Sequence, residues 1–356
     1  MARATTERQD AVRRLPILAA LLATVLLLTG CAASRDNQGG PPSLAGKTIE
    51  LVVPFDPGGG YDSYARQLAP ALGKELDATV IVVNKPGAGG VLATNQVSAA
   101  KPDGTTLALL NTPGHLGSAL AGSPGVQYDP QAFSYIGQLN SEPDVVLTAA
   151  DGPIRTWADV MTRTGPPPIR FAATGPGSNE YIDGVVLHSL LGLNSKVVTG
   201  YSTSNEAYLG VLSQIVDLHS RSYSSQQSAL RSGDATALLT IGSKDGLKPL
   251  EDTPTLLDVV PTDKQDLARS HTKLISSGRT ITAPPGVRPE MLELLRTAFQ
   301  KVVTDPDYAA TAQAARRPIV FASGQQVADS VTEIMHSPPA YIDLLKQAYG
   351  PASGSS

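Results

Sequence analysis

The chain has 356 residues, of which 41% are hydrophobic and 17% are charged. This balance is typical of one large or two ordinary globular domains, and it excludes wholesale disorder and a protein of many membrane spans. The formal net charge is −4 and no basic run exceeds two residues, which excludes an ordinary nucleic-acid-binding surface. The single cysteine, Cys31, excludes an internal disulfide and a zinc site built on cysteines.

The first thirty residues are typical of an export signal. Four arginines precede an apolar stretch from Leu15 to Leu28, whose 14 residues are too few to cross about 30 Å of hydrocarbon. The stretch ends in Leu28-Thr29-Gly30-Cys31, which resembles the bacterial lipobox, where the cysteine is lipidated and becomes the new N-terminus. We therefore expect a lipoprotein signal peptide over residues 1–30, a lipidated Cys31 and a flexible tether over 31–45.

Strands and helices alternate through most of the remaining chain, which favours an α/β fold with mainly parallel sheets. The predicted strands are Thr48–Val53, Thr79–Val83, Thr106–Leu110, Ile169–Ala173, Lys196–Thr199, Ile215–Leu218 and Ala235–Ile241. The predicted helices are Ser63–Leu72, Tyr181–Leu191, Glu206–Leu212, Gln226–Arg231, Pro289–Val303, Tyr308–Ala315 and Gln325–Tyr349.

Two places in the chain predict a passage between lobes. Proline and glycine cluster on the C-terminal side of residue 150, beside a possible connecting strand at Val145–Thr148. A second crossing is expected near Thr280–Ala283, before another cluster of proline and glycine. We therefore expect the first lobe to hold residues 46–147 and 283–356, and the second lobe to hold 148–282.

Three glycine-rich loops, at residues 54–62, 84–90 and 173–179, each precede a helical stretch. In open α/β sheets, ligands bind outside the carboxyl ends of strands, and the unpaired N–H groups at a helix start attract an anion. A tight turn is the alternative for any one loop. Three such loops favour an anion-binding cleft, and the lack of a G-x-G-x-x-G or Gly-Lys-Ser/Thr pattern argues against a nucleotide.

The sequence predicts no catalytic residues, no metal site and no cofactor. It contains no G-x-S-x-G or H-E-x-x-H pattern, and its five histidines never stand three or four residues apart. His219, just past a predicted strand, is the histidine that we expect nearest to a ligand.

Several motifs together resemble the substrate-binding proteins of tripartite tricarboxylate transporters, also called the Bug family. They are Ile49–Phe55 with the glycines that follow, Asn84–Gly90, Pro102–Gly104, Tyr128–Pro130 and Thr253–Leu256. The resemblance spans about residues 47 to 350. It implies a type II periplasmic-binding-protein fold, in which two lobes joined by crossing strands close over a small carboxylate. It implies no catalysis.

The resemblance also implies which residues contact the ligand. The first loop supplies Phe55, Gly59, Gly60 and Asp62, and the second-lobe loop supplies Thr174, Gly175 and Ser178. Tyr61 departs from the family by replacing a small hydroxyl residue, and we expect its ring to lie on the ligand.

Two further candidates and one acidic residue bear on specificity. The family often has a lysine-glycine pair after a tyrosine, whereas Tyr201 is followed by Ser202 here, so a candidate cation is lost. Tyr201 remains a candidate, and Arg221 is the best charged partner, with a surface arginine as the alternative. Asp56 would repel a carboxylate unless it points to solvent or meets an amino or hydroxyl group.

These features predict a lipid-anchored extracytoplasmic receptor that captures a small carboxylate. It would deliver that ligand to the large and small membrane subunits of a tripartite tricarboxylate-type secondary transporter. We expect a monomer that contacts the membrane through its lipid anchor and binds no nucleic acid. The alternatives are a ligand-sensing lipoprotein that signals to a membrane kinase and an exported enzyme.

Overall fold

Two β-sheets divide the strands of the computed structural model, which describes residues 42–349. The strands are β1 Thr48–Val53, β2 Thr79–Asn84, β3 Thr106–Asn111, β4 Ser134–Asn140, β5 Asp144–Ala149, β6 Ile169–Ala172, β7 Ser195–Val198, β8 Leu218–Ser222, β9 Ala235–Ile241, β10 Arg279–Ala283 and β11 Ala322–Ser323. The first sheet has the order β11-β4-β10-β3-β1-β2 and the second the order β7-β6-β8-β5-β9. Below, the first and second lobes are the elements built on these two sheets.

Most strands within each sheet share one direction. In the first sheet β1 is parallel to β2 and β3, while β10 is antiparallel to β3 and β4, so β4 runs with β3. In the second sheet β6 is parallel to β7 and β8, and β5 is antiparallel to both β8 and β9. The predicted α/β class with mainly parallel sheets is confirmed.

Helices connect the strands and cover the sheets. They are Gly60–Leu76, Val91–Ser98, Thr112–Leu120, Trp157–Thr162, Asn179–Leu191, Ser204–Leu212, Tyr223–Ser232, Leu256–Val259, Gln265–Ser276, Pro289–Val303, Pro306–Ala314, Gly324–Met335 and Pro339–Tyr349. The first of these shows the usual cause: Ala65, Leu68 and Leu72 recur at helical spacing and are buried in one cluster with Leu51 of β1. Among residues 42–349, no helix is both long enough and apolar enough to cross a bilayer.

Two predicted elements differ from the structure. The strand predicted at Ile215–Leu218 lies at Leu218–Ser222 instead, because Ile215 and Val216 both bond to the carbonyl of Gly210 and close the preceding helix. The helix predicted over Gln325–Tyr349 is two helices separated by His336, Ser337 and Pro338. Proline donates no N–H and disfavours a helical residue before it, so the single helix cannot continue.

The chain changes sheets earlier than predicted at both crossings. Val145–Thr148, expected to connect the lobes, is part of β5 inside the second sheet, so the first crossing spans residues 141–143. Thr280–Ala283 is part of β10 inside the first sheet, so the second crossing lies within residues 242–278. By sheet membership, the predicted boundaries at 147/148 and 282/283 therefore need correction.

The predicted tether also ends sooner than residue 45. Leu44 is 1% exposed and packs in the cluster that contains Leu51 and Leu107. The predicted signal peptide and Cys31 lie outside the described residues.

One apolar cluster extends through both lobes. It contains Val52 and Leu110 from the first sheet, and Phe171 and Leu218 from the second. The C-terminal helix Pro339–Tyr349 contributes to it and contacts helices of both lobes. The lobes therefore share a continuous core.

Buried histidines interrupt this core. His115 is stacked on Tyr128, with ring centroids 4.4 Å apart, and burial lowers its pKa to about 3. His271 lies between Tyr341 and Asp183, each 3.0 Å from one ring nitrogen, and burial lowers its pKa to about 3 as well. Protonation of either ring would place a charge in the core.

We predict that replacing His115 with Gln reduces the loss of stability in acid. The unfolded histidine titrates near 6.5, so the contribution of neutral His115 is fully present above that pH and is lost as the pH falls toward 3. Between pH 7 and pH 5 the wild type should lose about 2 kcal/mol more unfolding free energy than the variant. Urea unfolding at both pH values measures this, with the exposed His188→Gln as control. An equal loss in wild type and His115→Gln would contradict the prediction.

Candidate functional site

A cleft of about 820 Å³ opens where the carboxyl ends of strands from both lobes meet. The loop after β1 and the loop after β2 form one side, and the segments that follow β6, β7 and β8 form the other. This is the position expected for a ligand in an open α/β sheet, and the volume suits a small molecule.

Most of the predicted binding residues line this cleft. They are Phe55, Gly59, Gly60, Tyr61, Thr174, Tyr201 and Arg221. Asp62, Gly175 and Ser178 do not line it.

Asp62 holds the first loop together instead of facing the cleft. Its carboxylate accepts hydrogen bonds from the Gly58 N–H and from Arg66 Nε, both at 2.9 Å. Burial would raise the pKa of Asp62, but these hydrogen bonds outweigh burial and hold it below the usual value. The Gly58 amide is therefore occupied by the chain's own carboxylate and is not free for a ligand.

Ser178 is a helix cap rather than an exposed hydroxyl. It is fully buried, its Oγ accepts from the Tyr181 N–H at 3.3 Å, and it donates to the Gly175 carbonyl at 2.7 Å. Serine is favoured at this position because it satisfies an N–H that the helix leaves unpaired. Ser178 and Gly175 therefore shape the second-lobe loop without reaching the cleft.

The two lobes touch through glycine. A Cβ atom at Gly177 would lie 2.7 Å from the Ala88 carbonyl oxygen and 2.9 Å from that of Gly89, across the lobes. A Cβ at Gly60 would lie 2.6 Å from Ser225 Oγ of the second lobe, whereas at Gly59 the nearest atom is 3.8 Å away. The close approach in the first loop is thus at Gly60.

Asn111 extends this contact into the cleft wall. Its amide donates to the Gly177 carbonyl at 3.2 Å, and its oxygen accepts from the Tyr61 hydroxyl at 2.8 Å. Burial raises the pKa of Tyr61, so its phenol keeps the proton that this bond requires.

Arg279 is a cleft residue that the sequence did not indicate. Its guanidinium donates to Asn140 at 2.8 Å, to Glu142 at 2.7 Å and to Ser222 at 2.5 Å, and it lies 4.7 Å from the Tyr61 ring centre. Burial alone would lower the pKa of Arg279, but the negative charge of Glu142 raises it above the ordinary value. Arg279 thus joins the first sheet, the crossing segment and the second sheet.

Arg221 lines the same cleft but has no such partner. Within residues 42–349 its guanidinium donates no hydrogen bond and forms no ion pair within 4.0 Å. Burial lowers the pKa of Arg221, the negative charge of Glu180 opposes this, and the charges of Arg279 and Arg317 lower it further. An arginine stays charged in proteins, so the site contains an unneutralised cation.

Two acidic residues of the second lobe also line the cleft. Glu180 is 4% exposed, and its Oε1 accepts from Thr174 at 3.2 Å and from Ser204 at 2.6 Å. Asp144 accepts from the Asn179 amide at 2.7 Å. Burial and the nearby charge of Asp183 raise the pKa of Asp144 well above its usual value.

His219, the histidine expected nearest to a ligand, is fully buried and does not line the cleft. Its Nδ1 lies 3.1 Å from the Ala172 carbonyl, and burial lowers its pKa to about 4. Among the described residues, no group of three or more His, Cys, Asp or Glu side chains could hold a metal ion.

The sequence contains weak indications of Arg279 and Glu142, two cleft residues that the sequence analysis did not predict. Arg279 is the one charged residue in a strand that is otherwise threonine and apolar, and Glu142 precedes Pro143 at the crossing. An isolated charge at the edge of a buried strand is expensive unless it is paired, so it marks a site that requires a partner.

Sequence comparison places relatives across most of the chain. A sequence model described as "Tripartite tricarboxylate transporter family receptor" matches residues 64–343. A UPF0065 protein of Bordetella pertussis is 27% identical over 289 residues, which are 81% of this chain and 84% of that protein. The protein BugT of the same organism is 27% identical over 258 residues, which are 70% of this chain and 74% of BugT.

Solved structures share the fold. The periplasmic binding protein BugD is 25% identical with a TM-score of 0.68, over 85% of this chain and 97% of BugD. MatC from Rhodopseudomonas palustris, with bound malate, is 24% identical with a TM-score of 0.69, over 84% of this chain and 99% of MatC. These matches confirm the periplasmic-binding-protein fold predicted from the sequence.

We predict that Gly177→Ala opens the cleft without unfolding either lobe. The added methyl would meet backbone atoms of Ala88 and Gly89, which cannot move aside as a flexible side chain could. Small-angle X-ray scattering should show a larger radius of gyration for the variant. The matched control is Gly165→Ala in the same lobe, where a Cβ meets no atom within 4 Å. Identical scattering from the two variants would contradict the interpretation of this contact.

Proposed function

We propose a specific role for this chain from the premise that it belongs to the tripartite tricarboxylate transporter receptor family. Its matched relatives and structural neighbours are solute-binding proteins and not enzymes, and they act outside the cytoplasm. In our proposal the chain is a lipid-anchored receptor that captures a small carboxylate in the cleft. It then delivers the ligand to the two membrane subunits of a tripartite transporter.

Arg221 is the observation that supports carboxylate capture most directly. A half-buried guanidinium without a hydrogen-bond acceptor is costly, and a carboxylate is the group that matches its fork of N–H donors. The chain itself offers Arg221 no such group within 4.0 Å among the described residues. A carboxylate that enters the cleft would therefore supply the hydrogen-bond acceptor that Arg221 lacks.

The start of helix Gly60–Leu76 supports the same role. Gly60 and Tyr61 line the cleft at the first turn, where backbone N–H groups have no partner within the helix. Such groups and the positive end of the helix dipole favour an anion. In the related fold of MatC the bound molecule is malate, which carries carboxylates.

Closure of the lobes provides the means of capture. Gly177 of the second lobe lies against Ala88 and Gly89 of the first, so the two sides of the cleft are in contact. Arg279 bonds both Glu142 of the crossing segment and Ser222 of the second sheet. A ligand that contacts both walls stabilises the closed arrangement over an open one, because it gains contacts only when the lobes meet.

We predict that Arg221→Gln weakens carboxylate binding at least tenfold, since the ligand would lose a charge-assisted pair worth roughly 1.5–3 kcal/mol. The measurement is the thermal shift of the purified full chain against mono-, di- and tricarboxylates with and without amino or hydroxyl substituents. Arg231→Gln, an exposed arginine in the following helix, is the control and should bind normally. No response to any compound, or equal affinity of wild type and Arg221→Gln, would argue against carboxylate capture.

The lipid anchor is a separate proposal that rests on the lipobox-like segment ending at Cys31. We predict that Cys31→Ser moves the chain from the membrane fraction to the soluble fraction of a bacterial host, because two acyl chains are lost. Cell fractionation with metabolic labelling by an alkyne fatty acid measures the change. Label retained by Cys31→Ser, or an unlabelled wild type, would refute anchoring at this cysteine.

A further inference from the structure

The charges that face the cleft are not suited to a purely anionic ligand. Four carboxyl groups line it, and three guanidinium groups oppose them. The carboxyl groups are those of Asp56, Glu142, Asp144 and Glu180, and the guanidinium groups are those of Arg221, Arg279 and Arg317. Because Glu142 and Arg279 pair with each other at 2.7 Å, neither is available to neutralise a ligand.

Glu180 is a buried carboxylate with one oxygen left unsatisfied. Oε1 takes both hydroxyl groups, from Thr174 and Ser204, while Oε2 receives no hydrogen bond from residues 42–349. The residue is 4% exposed and lines the cleft, so little water reaches it when the cleft is closed. Oε2 is not among the fully buried oxygens that lack a partner, so it is accessible from the cleft, where a cationic donor would compensate its charge best.

Arg221 also lines the cleft from the second lobe, and it is a cation without an ion-pair partner among the described residues. The field of Glu180 acts on Arg221, yet the two side chains are more than 4.0 Å apart and form no ion pair. A cation and an anion, neither of which forms an ion pair with a described residue, therefore both line the cleft.

We propose that the ligand of this cleft is a small zwitterion whose carboxylate pairs with Arg221 and whose protonated amine pairs with Glu180. This inference rests on the proposed carboxylate capture and narrows its substrate class to amino acids and related amino carboxylates. A dicarboxylate could pair with Arg221 and with Arg317, which forms no ion pair among the described residues, but it has no cationic group to offer Glu180.

Asp144 is the rival partner for the amine, and its surroundings assign it a different role. It faces Asp183, Glu180, Asn179 and Arg279, and burial together with the charge of Asp183 raises its pKa well above the usual value. Asp144 also accepts from the Asn179 amide and shares a side-chain hydrogen bond with Asp183, so the chain itself supplies its partners. Glu180 keeps one oxygen that accepts no hydrogen bond from the described residues, so the amine is assigned to Glu180.

The test compares each amino acid with the acid that lacks only the amine. The pairs are alanine and propionate, aspartate and succinate, glutamate and glutarate, and 4-aminobutyrate and butyrate. Isothermal titration of the purified full chain should show at least one pair in which the amino compound binds at least tenfold more tightly. This comparison uses the wild type and does not depend on any variant folding.

Glu180→Gln tests the residue itself. Glutamine keeps a side-chain oxygen for Thr174 and Ser204 but removes the negative charge. We expect the amino compound to bind at least tenfold more weakly, while its deaminated counterpart binds equally or more tightly. Glu290→Gln, an exposed carboxylate of the first lobe, removes the same charge from the chain and should leave the ratio unchanged.

The outcomes separate the two proposals. If deaminated acids bind as tightly as amino acids, or if Glu180→Gln leaves their ratio unchanged, the zwitterion proposal fails and carboxylate capture stands. If no compound of any pair binds, both proposals fail.

Discussion

The contact of Gly177 with the Ala88–Gly89 backbone is the constraint on which the rest of the site depends. Backbone meets backbone there, and a side chain at Gly177 would intrude within 2.7 Å of a carbonyl oxygen. Only glycine allows two loops to approach so closely. The contact fixes the width of the cleft and thereby sets which polar groups of the two lobes a single small molecule can reach at once.

Arg279 pairs with Glu142 in the cleft, so their two opposite charges neutralise each other. The two terminal nitrogens of the Arg279 guanidinium donate to Asn140, Glu142 and Ser222, which lie at the end of β4, in the crossing segment and at the end of β8. The pairing removes one cation and one anion from the ligand's reach and ties both sheets to the crossing. The aromatic rings of Tyr61 and Tyr64, 4.7 and 4.9 Å from the guanidinium carbon, flank it on the first-lobe side.

Local patterns predicted most of the fold because most elements obey one local rule. The alternation of β1 and the apolar spacing of Pro289–Val303 placed both elements at the observed bounds. The strand at Leu218–Ser222 could not be placed this way, since its polar residues His219 and Ser220 are fully buried by tertiary contacts. Its apolar neighbour Ile215 is 63% exposed, contrary to what its side chain suggests.

In the candidate site, too, some features follow from the local sequence and others depend on contacts between distant residues. Glycine-rich loops locate the cleft because a turn and a helix start are local features, and the sequence displays both. The roles of Asp62 and Ser178 could not be separated from ligand contact by residue type alone, because a carboxylate or a hydroxyl can bond either the chain's own N–H groups or a ligand. Whether a charged side chain is free depends on a partner far along the chain, as the sequence separation of 137 between Arg279 and Glu142 illustrates. Arg221 and Glu180 stand out only after such pairings are subtracted. Our proposal for the ligand rests on these two charged groups.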